Sequence, residues 1–114
     1  MKIVNFAEMN SELNRFVAEI RDIHIQQDRL RFRKNLERIG EVMSYEISKD
    51  FRYSEKLVTT PLGTARVNTA DDKIVIGTIL RAGIPYHQGF LNYFDRAENA
   101  FVSAYRKYKD KLNF

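Results

Sequence analysis

Lys73-Ile74-Val75-Ile76-Gly77-Thr78-Ile79-Leu80 runs almost without a polar break and stops at Arg81-Ala82-Gly83-Ile84-Pro85. A short, non-alternating apolar run predicts a strand buried on both faces, as in a parallel sheet. Gly83 permits a tight turn with positive φ, and Pro85 suits the first turn of a helix, where no N–H is needed. Tyr86, Phe90, Tyr93 and Phe94 then recur at helical spacing. Asp95-Arg96-Ala97-Glu98-Asn99 closes that helix, and Ala100-Phe101-Val102-Ser103-Ala104-Tyr105 reads as a second strand. Strand, glycine-containing loop, helix and strand make a βαβ unit over residues 73–106, with the right-handed crossover expected of a parallel sheet. Ligands of open α/β sheets bind beyond the carboxyl ends of the strands. Arg81 stands there after the first strand and Arg106 after the second. The loop amides around Ala82 and Gly83, near a helix N-terminus, add partial positive charge. Two arginines and these amides could hold a phosphate or pyrophosphate; the alternative is a plain tight turn whose arginine pairs with a carboxylate.

Upstream, Leu57-Val58-Thr59-Thr60 and Ala65-Arg66-Val67-Asn68-Thr69 are strand-like, with the turn chemistry of Pro61-Leu62-Gly63 between them. A β-hairpin over residues 53–70 is expected. Asp71-Asp72 suits the next turn better than a metal-binding pair, since adjacent carboxylates repel and prefer water. Residues 1–50 read as helical. Asn5 with Glu8 three residues later resembles an N-cap and its reciprocal partner. Met9, Leu13, Phe16, Val17 and Ile20 then mark one apolar face. A second helix is expected from Asp28 to Lys49, with Phe32, Leu36, Ile39, Met43 and Ile47 on its core stripe.

The 114 residues suffice for one small domain. A hydrophobic share of 44% with 30% charged residues, 5 glycines and 2 prolines excludes a disordered or collagen-like chain. The absence of cysteine removes disulfides, thiolate zinc sites and cysteine nucleophiles, and fits a reducing compartment. No stretch approaches the ~20 apolar residues of a membrane span, and the N-terminus opens no signal peptide, so a cytoplasmic chain without a membrane partner is expected. The net charge of +4 is unevenly placed. Residues 21–38 carry six basic side chains against three acidic ones, and residues 104–111 carry four against one. Such clusters attract phosphates or nucleotides, or are simply solvated faces. Nucleic acid is not the expected partner, because Arg29-Leu30-Arg31-Phe32-Arg33 lacks further aromatics for base stacking. His24 and His87 show no metal-ligand spacing and read as polar surface or packed side chains. Neither a glycine-rich lysine phosphate loop nor a serine nucleophile elbow occurs.

The basic helix around Arg31-Phe32-Arg33, the Tyr45-Glu46 pair, the Pro61-Leu62-Gly63 turn, Ile79-Leu80-Arg81-Ala82-Gly83 and Tyr105-Arg106 follow one another in order. Together they resemble the N-terminal half of the uracil phosphoribosyltransferase family. The resemblance implies an α/β fold: N-terminal helices, a β-hairpin and the first, incomplete part of a type I phosphoribosyltransferase parallel sheet. It implies a glycosyltransferase that joins uracil to phosphoribosyl pyrophosphate, giving UMP and pyrophosphate in pyrimidine salvage. Magnesium is the cofactor the family implies, with no ligand assigned in this chain. Arg81 and the Ala82-Gly83 backbone match the family's pyrophosphate-binding loop, and Arg106 its second arginine; no general acid or base stands out. Thr78 occupies a position where many relatives carry proline, a change expected to alter strand-end geometry only. The family's acidic phosphoribosyl motif and its uracil-recognition segment have no counterpart within these residues, so the chain is expected to be an N-terminal part, inactive alone. The apolar side chains of Ile74, Val75, Ile76, Ile79, Phe101 and Val102 should then lie open, favouring a homo-oligomer. The competing reading is a non-catalytic phosphoribosyltransferase-like module for nucleotide or RNA binding or for dimerisation.

Overall fold

The computed structural model describes residues 1–105. Two helices lead the chain: α1, Leu13–Arg21, and α2, Arg29–Ser48. Asn5 does cap, but it caps a 3-10 turn at Phe6–Glu8, accepting from the Ala7 amide at 3.0 Å. The chain then breaks at Met9, and the helix restarts where Ser11 Oγ accepts from the Leu13 amide at 3.3 Å. A second local acceptor so close to the first divides the expected helix, and Met9 falls outside α1. Asp28 starts α2 as expected, its Oδ1 accepting from the Arg31 amide at 3.0 Å.

Asn35, fully buried on α2, joins the two helices. Its Nδ2 donates to Glu19 Oε1 at 2.9 Å, and its Oδ1 accepts from Arg38 Nη1 at 3.1 Å. The Asn35 hydrogen bond, followed by the Arg31 and Arg15 charges, holds the Glu19 carboxyl below the usual carboxylate range. A depressed carboxylate stabilises the fold above its unfolded pKa, and that stabilisation disappears as pH falls through the lower, folded value. Glu19→Gln is therefore expected to be less stable than the parent at neutral pH and to lose less on acidification, read from urea midpoints at pH 7 and below the carboxylate range. Parallel pH dependences in parent and variant would contradict the linkage.

The core stripe of α2 is rotated from the expected one. Ile39 is buried, but Ile47 is exposed, and the most enclosed positions are Asn35, Ile39, Gly40 and Ser44. The cause is α3, Ile84–Tyr93, which crosses α2 at Gly40 and Gly89. A Cβ on Gly40 would stand 2.5 Å from the Tyr86 carbonyl oxygen, and one on Gly89 would stand 2.9 Å from the Glu41 nitrogen. The two backbones thus touch, and small residues rather than the bulky stripe occupy the contact. Pro85 lies in the first turn of α3, as its sequence position predicts.

The hairpin pairs β1, Tyr53–Thr60, with β2, Gly63–Ala70, antiparallel from Tyr53↔Ala70 to Thr60↔Gly63. Each strand is longer than its strand-like residues suggested, while the hairpin keeps to the expected span of 53–70. Pro61-Leu62 forms the turn, and Gly63 opens β2 with φ +131°, a region side-chain-bearing residues avoid. Asp71 and Asp72 close its base: Asp72 Oδ1 accepts from the Arg52 amide at 2.9 Å, and Asp71 accepts from the Ser54 hydroxyl. The hairpin and the second sheet are separate. The molecule is accordingly elongated, 69 Å in its longest dimension, with a radius of gyration of 18.7 Å against ~13 Å for a compact chain of this size.

The second sheet pairs β3, Val75–Leu80, with β4, Glu98–Ser103, in parallel register from Val75↔Glu98 to Leu80↔Ser103. Three expectations are corrected. The helix ends at Tyr93, and Glu98 and Asn99 belong to the strand instead of closing the helix. Gly83 has φ −76° and is helical rather than left-handed. The apolar β3 run has one covered face, not two. Ile76, Thr78 and Leu80 face α3, and Ile76 is buried; Val75 and Ile79 on the other face are 62% and 63% exposed. Val102 of β4 shares that open face, and no described element covers it.

Candidate anion-binding site

Leu80 and Ser103 are register partners, so the carboxyl ends of β3 and β4 are level. Beyond them opens a cleft of about 1060 Å³ running along the Arg81–Gly83 loop, with Tyr86, Ser103 and Tyr105 at its sides. The Leu80–Arg81 peptide is cis. The Gly83 amide donates to the Ile79 carbonyl at 3.2 Å, and the Ile84 amide to the Arg81 carbonyl at 3.1 Å. Gly83 therefore does not offer its N–H to a ligand. It matters through its size, because a Cβ would lie 2.7 Å from both the Ile79 oxygen and the Thr78 methyl. The Arg81 and Ala82 amides have no intramolecular partner among the described residues.

Arg81 and Ala82 are exposed at the mouth of the cleft. No carboxylate among the described residues forms an ion pair with Arg81. Ahead of the N-terminus of α3, the exposed Arg81 guanidinium and two amides without a partner among the described residues are donors of the kind that attract anions. Arg106 lies outside the described residues. Burial raises the Tyr86 phenol, and its hydroxyl donates to Met43 Sδ on α2 at 2.6 Å. The cleft presents no carboxylate among its described lining residues. Mg²⁺ requires oxygen ligands, commonly carboxylates and phosphates, so these side chains do not build a magnesium site.

The basic residues of α2 are largely engaged with the protein itself. Arg31 pairs with Glu19 at 3.4 Å, Lys34 pairs with Glu37 at 3.5 Å, and the Arg38 guanidinium lies over the Phe16 ring. That face is mainly a solvated, self-paired surface.

One group beneath the loop has partners that no sequence spacing marks. His87, buried on α3, is hydrogen-bonded through Nδ1 to Thr78 Oγ1 and through Nε2 to Asn99 Oδ1 at 2.7 Å. Its ring stacks on Phe101 with centroids 4.9 Å apart. It is the packed histidine the sequence allowed for, but no spacing pointed to its partners on two different strands.

A parallel strand pair joined through a helix, with a loop at its carboxyl end, places the molecule among α/β proteins, the class whose ligands lie beyond the strand ends. Comparison with known proteins narrows that class. A family profile described as uracil phosphoribosyltransferase matches residues 9–113. A protein named uracil phosphoribosyltransferase from Porphyromonas gingivalis is 62% identical over 114 residues, which is 100% of this chain and 53% of that protein. One from Methanococcus vannielii is 37% identical over 92 residues, covering 79% of this chain and 40% of the relative. A solved structure from Aquifex aeolicus superposes with a TM-score of 0.71 at 28% identity, over 94% of this chain and 52% of that one. The chain belongs to the uracil phosphoribosyltransferase family. It spans about half the length of the curated relatives it matches, and its fold is the corresponding incomplete α/β sheet.

Proposed function

We propose that this chain is the pyrophosphate-binding half of an enzyme that converts uracil and phosphoribosyl pyrophosphate to UMP and pyrophosphate in pyrimidine salvage. The observation that carries this reading is the exposed Arg81 beside the Ala82 amide at the carboxyl end of β3, neither with a partner among the described residues. In the reaction, a uracil nitrogen bonds to the ribose anomeric carbon while the bond from that carbon to pyrophosphate breaks, and the uracil proton is released. Negative charge accumulates on the departing pyrophosphate. Arg81 and the Ala82 N–H stabilise it, with Arg106 as the second cation the resemblance implies. Magnesium, the cofactor the resemblance implies, would find no carboxylate among the described lining residues of this cleft. The chain works in the cytoplasm, and no helix among its described residues is long and apolar enough to cross a membrane. It associates with a second copy through the open sheet face.

Extended to the length of its relatives, the protein should form UMP, and Arg81→Ala should lower kcat/KM about a hundredfold or more, the usual consequence of losing one transition-state donor. The 114-residue chain alone should form none. UMP formation by the purified short chain, or an extended Arg81→Ala variant with unchanged kinetics, would contradict the assignment.

A further inference from the structure

We infer that His87 is a positioning residue for the Arg81–Gly83 loop, acting through Thr78; the inference rests on reading that loop as the anion site. Asn99 presents its amide oxygen to Nε2, so that nitrogen carries the ring proton. In the neutral ring Nδ1 is then an acceptor, and its partner, the Thr78 hydroxyl, donates. This bond fixes the rotation of Thr78 about its Cα–Cβ bond. With Oγ1 held by the ring, the Thr78 methyl lies against Gly83, close enough that a Cβ there would come within 2.7 Å. The same histidine receives the loop from the other side, its backbone N–H donating to the Gly83 carbonyl at 2.8 Å. Side chain and backbone of one residue thus grip Gly83 from β3 and from α3, while Asn99 and the Phe101 ring tie the imidazole to β4. The three elements that meet beneath the loop are joined at this ring. A threonine at position 78 is therefore more than a neutral strand-end residue: its hydroxyl is what the histidine uses to hold the loop.

The test is nitrogen NMR of the His87 ring together with amide hydrogen exchange, on the 114-residue chain and on Thr78→Val and Thr78→Ser. In the parent, Nε2 should be the protonated nitrogen and Nδ1 the bare one. Thr78→Val keeps the shape and removes the donor. It should mix the tautomers and speed Gly83 amide exchange about tenfold, as expected when a buried acceptor loses its partner. Amides of α2 should keep their protection, which separates loosening of the loop from general unfolding. Thr78→Ser restores the hydroxyl and should restore the parent tautomer. Inorganic pyrophosphate should bind Thr78→Val about tenfold more weakly than the parent. A proton on Nδ1 in the parent, or Gly83 exchange untouched by Thr78→Val, overturns the inference. If the exchange responds while the parent binds no pyrophosphate, the positioning role stands and the anion reading fails.

Discussion

Gly89→Ala is expected to be among the most destabilising single-methyl changes in this molecule. The new Cβ would fall on the Glu37 carbonyl oxygen and within 2.9 Å of both the Glu41 nitrogen and the Gly40 Cα. All three are backbone atoms of α2, so no side chain can rotate aside and the helices must separate. Overpacking of this kind costs ~1–3 kcal/mol, occasionally more, and a backbone clash belongs at the upper end. A loss of ~3 kcal/mol lowers the Tm of a domain this size by about 12 °C or more. Gly77→Ala provides the contrast, because a Cβ there meets nothing within 4 Å. Its Tm should stay near that of the parent. Similar melting temperatures for the two variants, by calorimetry or circular dichroism, would contradict the observed α2–α3 crossing.

The open face of the β3–β4 sheet carries the second large effect. Val75, Ile79 and Val102 lie on it, and all are more than half exposed. Among the described residues of the two strands, Glu98 is the charged one on that face, and Gly77 and Ala100 leave a shallow centre between the larger side chains. Covering ~400 Å² of such surface is worth on the order of 10 kcal/mol before the entropic cost of association. The chain should therefore self-associate, with an apparent mass that falls on dilution in light scattering. The double variant Ile79→Lys with Val102→Lys should shift it to monomer, since burying two ammonium groups face to face would cost more than the contact returns. A parent chain that stays monomeric at high concentration would show that the open face does not drive assembly. The expectation of exposed apolar residues holds for Val75, Ile79, Phe101 and Val102, but Ile76 is buried beneath α3 and Ile74 is half-buried.

Local signals in the sequence reached most of the fold. The Pro61-Leu62-Gly63 turn, the Asp28 cap and the Leu80-to-Pro85 stop are each set by residues adjacent in the chain, so the strand–loop–helix–strand order was readable. Contacts between distant segments were not. Gly40 and Gly89 look like weak points in two helices until the helices are seen to cross on them. The Gly83 requirement was read for the wrong reason: the site needs its lack of a Cβ, not a positive φ. Asn5 and Glu8 satisfied a capping pattern within a three-residue turn, because such a pattern specifies where a helical turn begins but not how far it runs. The Thr78–His87–Asn99 chain draws one residue from each of three elements, and no periodicity within any of them marks it.

Binding of inorganic pyrophosphate to the 114-residue chain, followed through the backbone amide resonances, tests the central claim most directly. Saturable shifts should appear first at Arg81 and Ala82, whose amides are unclaimed, and should be abolished in Arg81→Ala while the α2 resonances stay unmoved. Shifts centred elsewhere, or a titration that Arg81→Ala leaves intact, would show that the loop after β3 is not the anion site.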